Sequence, residues 1–219
     1  MTVTVTKGLG VARIHFPIRA LGFGERVGLW VQGCSIHCPG CMSRDTWAEA
    51  RSRRPVHAVA DQIDAWLASA DGLSITGGEP LEQPEAVAGL LETLRPKLRG
   101  DIILFTGYSE DALPEGAGGV LAQIDTLVAG PFEAEAPSDA PLLGSANQTL
   151  RFLTELGRAR YERFCEEARQ RPPIDLVLEG EDVWMAGVPR PGDLDRLDQT
   201  MKARGLKLTT SAGRLGGRS

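Results

Sequence analysis

The sequence predicts an α/β fold with a parallel sheet. Short apolar runs alternate with amphipathic stretches of helical length along most of the chain, and strands that alternate with such helices pair in parallel through right-handed crossovers. The Gly-rich and Cys-rich turns follow strands rather than helices, and the carboxyl ends of parallel strands are where such sheets keep their ligands. Hydrophobic residues make up 42% of the 219 and charged residues 24%, a balance that fills a sizeable core and excludes wholesale disorder.

Residues 1–6 alternate Thr and Val, which reads as a strand and lacks the charged and apolar regions of a signal peptide. Residues 26–32 read as a buried strand that runs straight into Gly33 and Cys34. Between 55 and 71, Val59, Ile63, Trp66, Leu67 and Ala70 fall on one helical face. A short strand at 73–76 is closed by Gly77-Gly78, and Val87, Leu90, Leu91, Leu94 and Leu98 form the next helical stripe. The strand at 101–105 ends in the turn Thr106-Gly107, and the strand at 124–128 ends at Gly130-Pro131. From 131 to 147 the chain is rich in Pro, Ala, Ser, Asp and Glu, long enough for a functional loop or lid and too aperiodic for a helix. A strand is expected at 149–154 and a charged helix at 158–170. Two β runs at 174–178 and 183–186 join at 179–182 like a hairpin, and Leu194, Leu197 and Met201 mark a last helix. Residues 213–219 read as a frayed tail.

Twenty-four bases against 29 acids leave a net charge of −5, which offers no basic footprint for nucleic acid and no polybasic membrane patch. No segment approaches the ~18 consecutive apolar residues of a bilayer span, so a cytoplasmic protein is expected. Of the four cysteines, Cys34, Cys38 and Cys41 lie within eight residues and Cys165 stands apart. In a reducing compartment such a cluster binds metal or does catalysis rather than forming disulfides.

The cluster reads Cys34-Ser-Ile-His-Cys38-Pro-Gly-Cys41, with Gly33, Pro39 and Gly40 to bend the loop. Three thiolates this close can converge on one metal centre, and because a closed structural site takes four ligands, three leave a position open for water or substrate. A zinc site completed by His37, His57 or Cys165 is the alternative reading. Cys165, among Glu and Arg on the expected helix, receives no role.

This spacing after a strand resembles the radical S-adenosylmethionine (SAM) superfamily. The resemblance implies a partial (β/α)6-type TIM barrel with its cofactors at the C-terminal ends of the strands. It implies a 4Fe-4S cluster held by Cys34, Cys38 and Cys41, with SAM chelating the remaining iron. Ser74-Ile-Thr-Gly-Gly-Glu-Pro-Leu81 resembles the superfamily's SAM-binding turn, so Thr76, Gly77, Gly78, Glu79 and Pro80 are expected at the cofactor. Paired glycines let backbone carbonyls approach the methionyl ammonium, and Glu79 supplies an acceptor and a charge.

Leu29-Trp-Val-Gln-Gly-Cys34, Cys38-Pro-Gly-Cys41, Asp45-Thr46-Trp47, Phe105-Thr-Gly-Tyr108, Val128-Ala-Gly-Pro-Phe132 and Gly144-Ser-Ala-Asn-Gln148 resemble small activating enzymes of glycyl-radical proteins, especially the anaerobic ribonucleotide reductase activase. The likeness runs from about 24 to 154 and adds Gly40, Met42, Thr106, Gly107 and Asn147 as expected cofactor contacts. Met42 and Ser43 depart from the family pattern beside the cluster. The resemblance implies one domain over 1–212 with an extension at about 158–212. That extension is expected to add βα units to the barrel, the alternatives being completion of the barrel or a partner-docking surface.

The implied chemistry is reductive cleavage of SAM to a 5′-deoxyadenosyl radical that abstracts hydrogen from a glycine of a partner glycyl-radical enzyme, with flavodoxin or ferredoxin as electron donor. The protein's part is binding, orientation and exclusion of side reactions. A radical SAM enzyme acting on a small molecule or peptide is the second expectation, and a non-catalytic zinc or iron–sulfur module the third. The last leaves the Gly-Gly-Glu-Pro turn unexplained.

Overall fold

One six-stranded sheet organises the molecule, in the order β1 (Val11–Ile18), β2 (Arg26–Val31), β3 (Gly72–Gly77), β4 (Asp101–Thr106), β5 (Thr126–Ala129) and β6 (Thr149–Phe152). The computed structural model describes residues 8–167, 174–179, 182–187, 189 and 192–205. The strand expected at 1–6, the end of the helix expected at 158–170, the hairpin turn and the 213–219 tail lie wholly or partly outside these residues.

Strands β2 to β5 run parallel, and their crossovers are α1 (Val56–Leu67), α2 (Pro84–Leu94) and α3 (Ala117–Leu121). Strand alternation sends Val27, Leu29, Val31, Leu73, Ile75, Ile102, Leu104 and Leu127 to one face, where they pack with α1, α2 and α3 in the main core. The opposite face carries Trp30, Ile103 and Val128. There it meets α4 (Glu155–Glu167), through Tyr161 and Phe164, and the hairpin of β7 (Ile174–Glu179) and β8 (Asp182–Gly187), through Trp184 and Ala186. A last helix, α5 (Asp193–Ala203), follows.

The sheet is mixed rather than six parallel strands, because edge strands β1 and β6 pair antiparallel. Each has one partner, and no closed barrel forms among the described strands. Strand β1 escapes a reading by periodicity because register shifts between Val11 and Arg13 and between His15 and Ile18 break its alternation. Pro17 within it also suits only an edge strand. Helix α3 is missed because two of its five residues are glycine.

The expectation that the extension adds βα units is not met. Strands β7 and β8 pair antiparallel in a two-stranded sheet of their own, and Asp175 of β7 accepts from the amides of Arg19 and Ala20 at 2.7 Å each, which anchors the hairpin beyond the end of β1.

The strand starts are tied by a buried polar network. Arg26 and Asp101, the first residues of β2 and β4, are both fully buried and paired through both guanidinium nitrogens, at 2.9 and 3.0 Å. Arg26 also donates to Ser74 Oγ at 2.7 Å and to the Leu73 carbonyl at 2.9 Å, and the Tyr161 hydroxyl of α4 donates to Asp101 at 3.0 Å. Burial beside this pair pushes the Tyr161 phenol well above its ordinary range.

Candidate active site

The cysteine loop starts where β2 ends. Gly33, in the left-handed region at φ 107°, donates its amide to the Thr46 carbonyl at 2.8 Å, and the Cys34 amide donates to the Trp47 carbonyl at 3.1 Å. The loop is thereby closed at its base, and the Gln32 side chain reinforces it by donating to the carbonyls of Asp45 and Ala48. Within it the Cys41 amide donates to the Cys38 carbonyl at 3.1 Å across a turn in which Gly40 takes φ 78°. His37 stacks on Trp47 with 4.6 Å between ring centres, so it serves the loop's packing.

The Gly-Gly-Glu-Pro turn lies directly against this loop. The Gly78 amide donates to the Val31 carbonyl at 2.8 Å, and the Glu79 amide to the Gly33 carbonyl at 2.7 Å. A Cβ on Gly78 would lie 2.1 Å from the Gly33 oxygen, and one on Gly77 would meet the Val31 backbone at 2.6 Å. These two glycines are therefore required by the approach of one backbone to another.

Glu79 is buried, and its carboxylate bridges to the end of β4. It accepts from the Leu81 amide, the Thr106 hydroxyl and the Gly107 amide, each at 2.8 Å. Burial outweighs these bonds and raises its pKa from the model-peptide 4.5 to about 7. The unfolded chain thus loses the Glu79 proton first as pH rises, and the stability this group contributes at low pH is lost between about 4.5 and 7. At about 1.4 kcal/mol per unit this window is worth roughly 3 kcal/mol. The expected result is a denaturation midpoint that declines from pH 5 to 7 in the metal-free protein and a shallower decline in Glu79→Gln, measured by urea titration at each pH.

Cysteines and turn open into one cavity of about 550 Å³, within the roughly 300–1,000 Å³ of small-molecule sites. Cys34, Cys38, Cys41, Met42, Thr76, Gly77, Gly78, Glu79, Thr106 and Gly107 all line it. Gly40 and Pro80 shape the turns on either side without being part of the lining, Gly40 exposed and Pro80 buried. Asn147 is exposed and donates to the Pro131 carbonyl at 2.8 Å, whereas its neighbour Gln148 lines the cavity. The loop expected to act as a lid folds back on itself through a bridge between Pro137 and Ser145, and presents Phe132, Leu142 and Gly144 to the cavity.

Arg13, Trp30 and Trp184 also line the cavity. No local motif marks Arg13 or Trp184, and Trp30, although it lies within the Leu29-to-Cys34 motif, is not among the expected contacts; the three come from β1, β2 and the extension and meet only through the fold. Arg13 lies over the Trp184 ring at 4.7 Å.

The three thiols are free and half-buried. Burial pushes Cys34 and Cys38 up from the ordinary thiol range, so metal loading must displace their protons. Among the described residues no three His, Cys, Asp or Glu side chains converge tightly enough to hold one metal ion. The three thiols are soft donors lining one cavity, a donor set that fits an iron–sulfur cluster with one iron left to a further ligand.

Comparison with known proteins agrees with this donor set. The family described as a 4Fe-4S single cluster domain matches residues 20–151. The anaerobic ribonucleoside-triphosphate reductase-activating protein of Vibrio cholerae is 34% identical over 149 residues, covering 64% of this chain and 96% of the relative. Its counterpart in Escherichia coli is 32% identical with the same coverage. That of Enterobacteria phage T4 is 30% identical over 134 residues, 59% of this chain and 85% of the relative. No helix among the described residues is long and apolar enough to cross a membrane.

Proposed function

The chain belongs to the 4Fe-4S single cluster domain family and is a radical SAM enzyme of the activating type, and from that premise we propose that it installs a radical on a glycine of a partner glycyl-radical enzyme. The partner proposed is an anaerobic ribonucleoside-triphosphate reductase, which the relatives' names specify for them. One observation carries the reading: the cysteine loop and the Gly-Gly-Glu-Pro turn, at the ends of neighbouring parallel strands, share one cavity and are hydrogen-bonded to each other.

In this proposal Cys34, Cys38 and Cys41 hold the cluster, and residues 24–154 form the core of a single radical SAM domain with 158–212 as its extension. The crossover helices α1, α2 and α3 on one face of four central parallel strands support an open partial barrel. When bound together, cluster and SAM supply one-electron cleavage of a sulfur–carbon bond and a 5′-deoxyadenosyl radical. The electron comes from a small donor such as flavodoxin or ferredoxin.

The remaining work falls to the chain's own groups. Backbone at Thr76, Gly77 and Gly78, together with the Glu79 carboxylate, lines the side of the cavity proposed for the methionyl ammonium, and a cation there favours the ionised carboxylate. Thr106 and Gly107 fix that carboxylate in place by donating to both its oxygens. Phe132 and Leu142, from the long loop, keep water from the reacting position.

Protein reconstituted anaerobically with iron and sulfide is incubated with SAM, a reductant and an anaerobic ribonucleoside-triphosphate reductase. A glycyl-radical signal on the reductase by electron paramagnetic resonance is expected. A silent reductase alongside 5′-deoxyadenosine that rises with an added metabolite or peptide assigns the enzyme to small substrates instead.

A further inference from the structure

The family match ends at residue 151, and the relatives are matched over nearly all of their own length by about two thirds of this chain. Strands β7 and β8 and helix α5 lie beyond that match, yet Leu176, Trp184, Met185, Leu194 and Leu197 line the cavity together with the cysteines. The extension is therefore part of the site, added by this chain to the family's core.

Trp184 is where the two meet. It is 9% exposed and packs edge-on against Trp30 of β2, with 5.3 Å between ring centres, and against His15 of β1 at 5.0 Å. Arg13 covers one face of its ring, and Ile18, Leu21 and Ala186 complete the cluster. The hydrogen bonds from Arg19 and Ala20 to Asp175 hold the hairpin in this position. The wall so formed is aromatic and aliphatic, the lining that a planar purine with its sugar prefers over water.

We infer that the C-terminal extension walls the cavity around the nucleoside part of SAM, with Trp184 as the positioning residue that fixes the wall to β1 and β2. This rests on the proposed radical SAM function. It assigns to the extension a binding role that the shorter relatives must meet in another way.

The test uses the full chain, reconstituted anaerobically, and S-adenosylhomocysteine as an unreactive probe in calorimetry. Trp184→Ala is expected to weaken binding about tenfold, the loss of one well-packed aromatic contact, and Trp184→Phe to restore it to within about threefold. With SAM the same substitution is expected to raise KM while leaving kcat within about twofold, since the wall touches no reacting atom. Should Trp184→Ala fail to fold, Leu176→Ala carries the test, because Leu176 is 48% exposed and also lines the cavity; a KM raised about threefold is expected. A folded Trp184→Ala, or failing that Leu176→Ala, that binds S-adenosylhomocysteine like the parent overturns the wall. Failure of the parent to bind the probe or cleave SAM overturns the proposed function instead.

Discussion

Replacing Cys38 by alanine is expected to abolish cluster assembly and to reduce 5′-deoxyadenosine formation to the level seen without protein. Cys38 is the middle of three thiols on a loop closed at its base by the bonds from Gly33 to Thr46 and from Cys34 to Trp47. Within the loop His37 is stacked on Trp47, and in the proposed assignment the other two cysteines each hold an iron of their own. Iron and sulfide content after anaerobic reconstitution, with the visible absorbance of the cluster, measures assembly directly. Cys165→Ala is the matched control and is expected to load as the parent does. Full iron loading of Cys38→Ala would contradict the assignment of the three thiols.

The second large effect concerns stability rather than chemistry. Asp101→Ala leaves Arg26 fully buried without its bidentate partner and removes the acceptor of the Tyr161 hydroxyl. Breaking a buried pair from one side costs about 3–5 kcal/mol, which for a chain of this size corresponds to a fall in Tm on the order of 10 °C. The network sits at the first residues of β2 and β4, the opposite end of the strands from the cysteines. SAM affinity of the folded fraction is therefore expected to stay near the parent's. Urea denaturation of Asp101→Ala, and of Arg26→Met with Asp101→Leu together, checks the cause. The double replacement is expected to recover much of the loss, because it removes the buried charge of Arg26 together with that of Asp101, while the part-exposed Arg160, 3.4 Å from Asp101, keeps its bond to the Asp71 carbonyl. Equal destabilisation in both proteins would show that shape rather than charge is at stake.

The elements that bear motifs were legible because their chemistry is local. A cysteine loop and a glycine pair announce themselves in a few consecutive residues, and the alternation of strands and helices placed both at strand ends. What stayed hidden is built from distant, chemically ordinary residues. Arg13 and His15 lie on a bulged edge strand whose alternation is broken, and Trp184 looks like any apolar residue of a hairpin until the fold sets it on Trp30. Asn147 was expected in the cavity because it belongs to the Gly144-to-Gln148 motif, but the turn after Gly144 faces Gln148 inward instead, where it accepts from the Gly144 amide at 2.8 Å. Glu79 was legible as a charge near the cofactor, while its bonds to Thr106 and Gly107 are a property of neighbouring strand ends that no linear motif reports.

The contact of Gly78 with Gly33 also bears on local opening. The amides of Gly33, Cys34, Gly78 and Glu79 are all committed to carbonyls in or beside the same two turns, and the two backbones leave no room for a side chain between them. Neither turn can swing out while the other stays in place. These four amides are therefore expected to exchange with solvent deuterium as one cooperative unit, opening of one turn carrying the other with it.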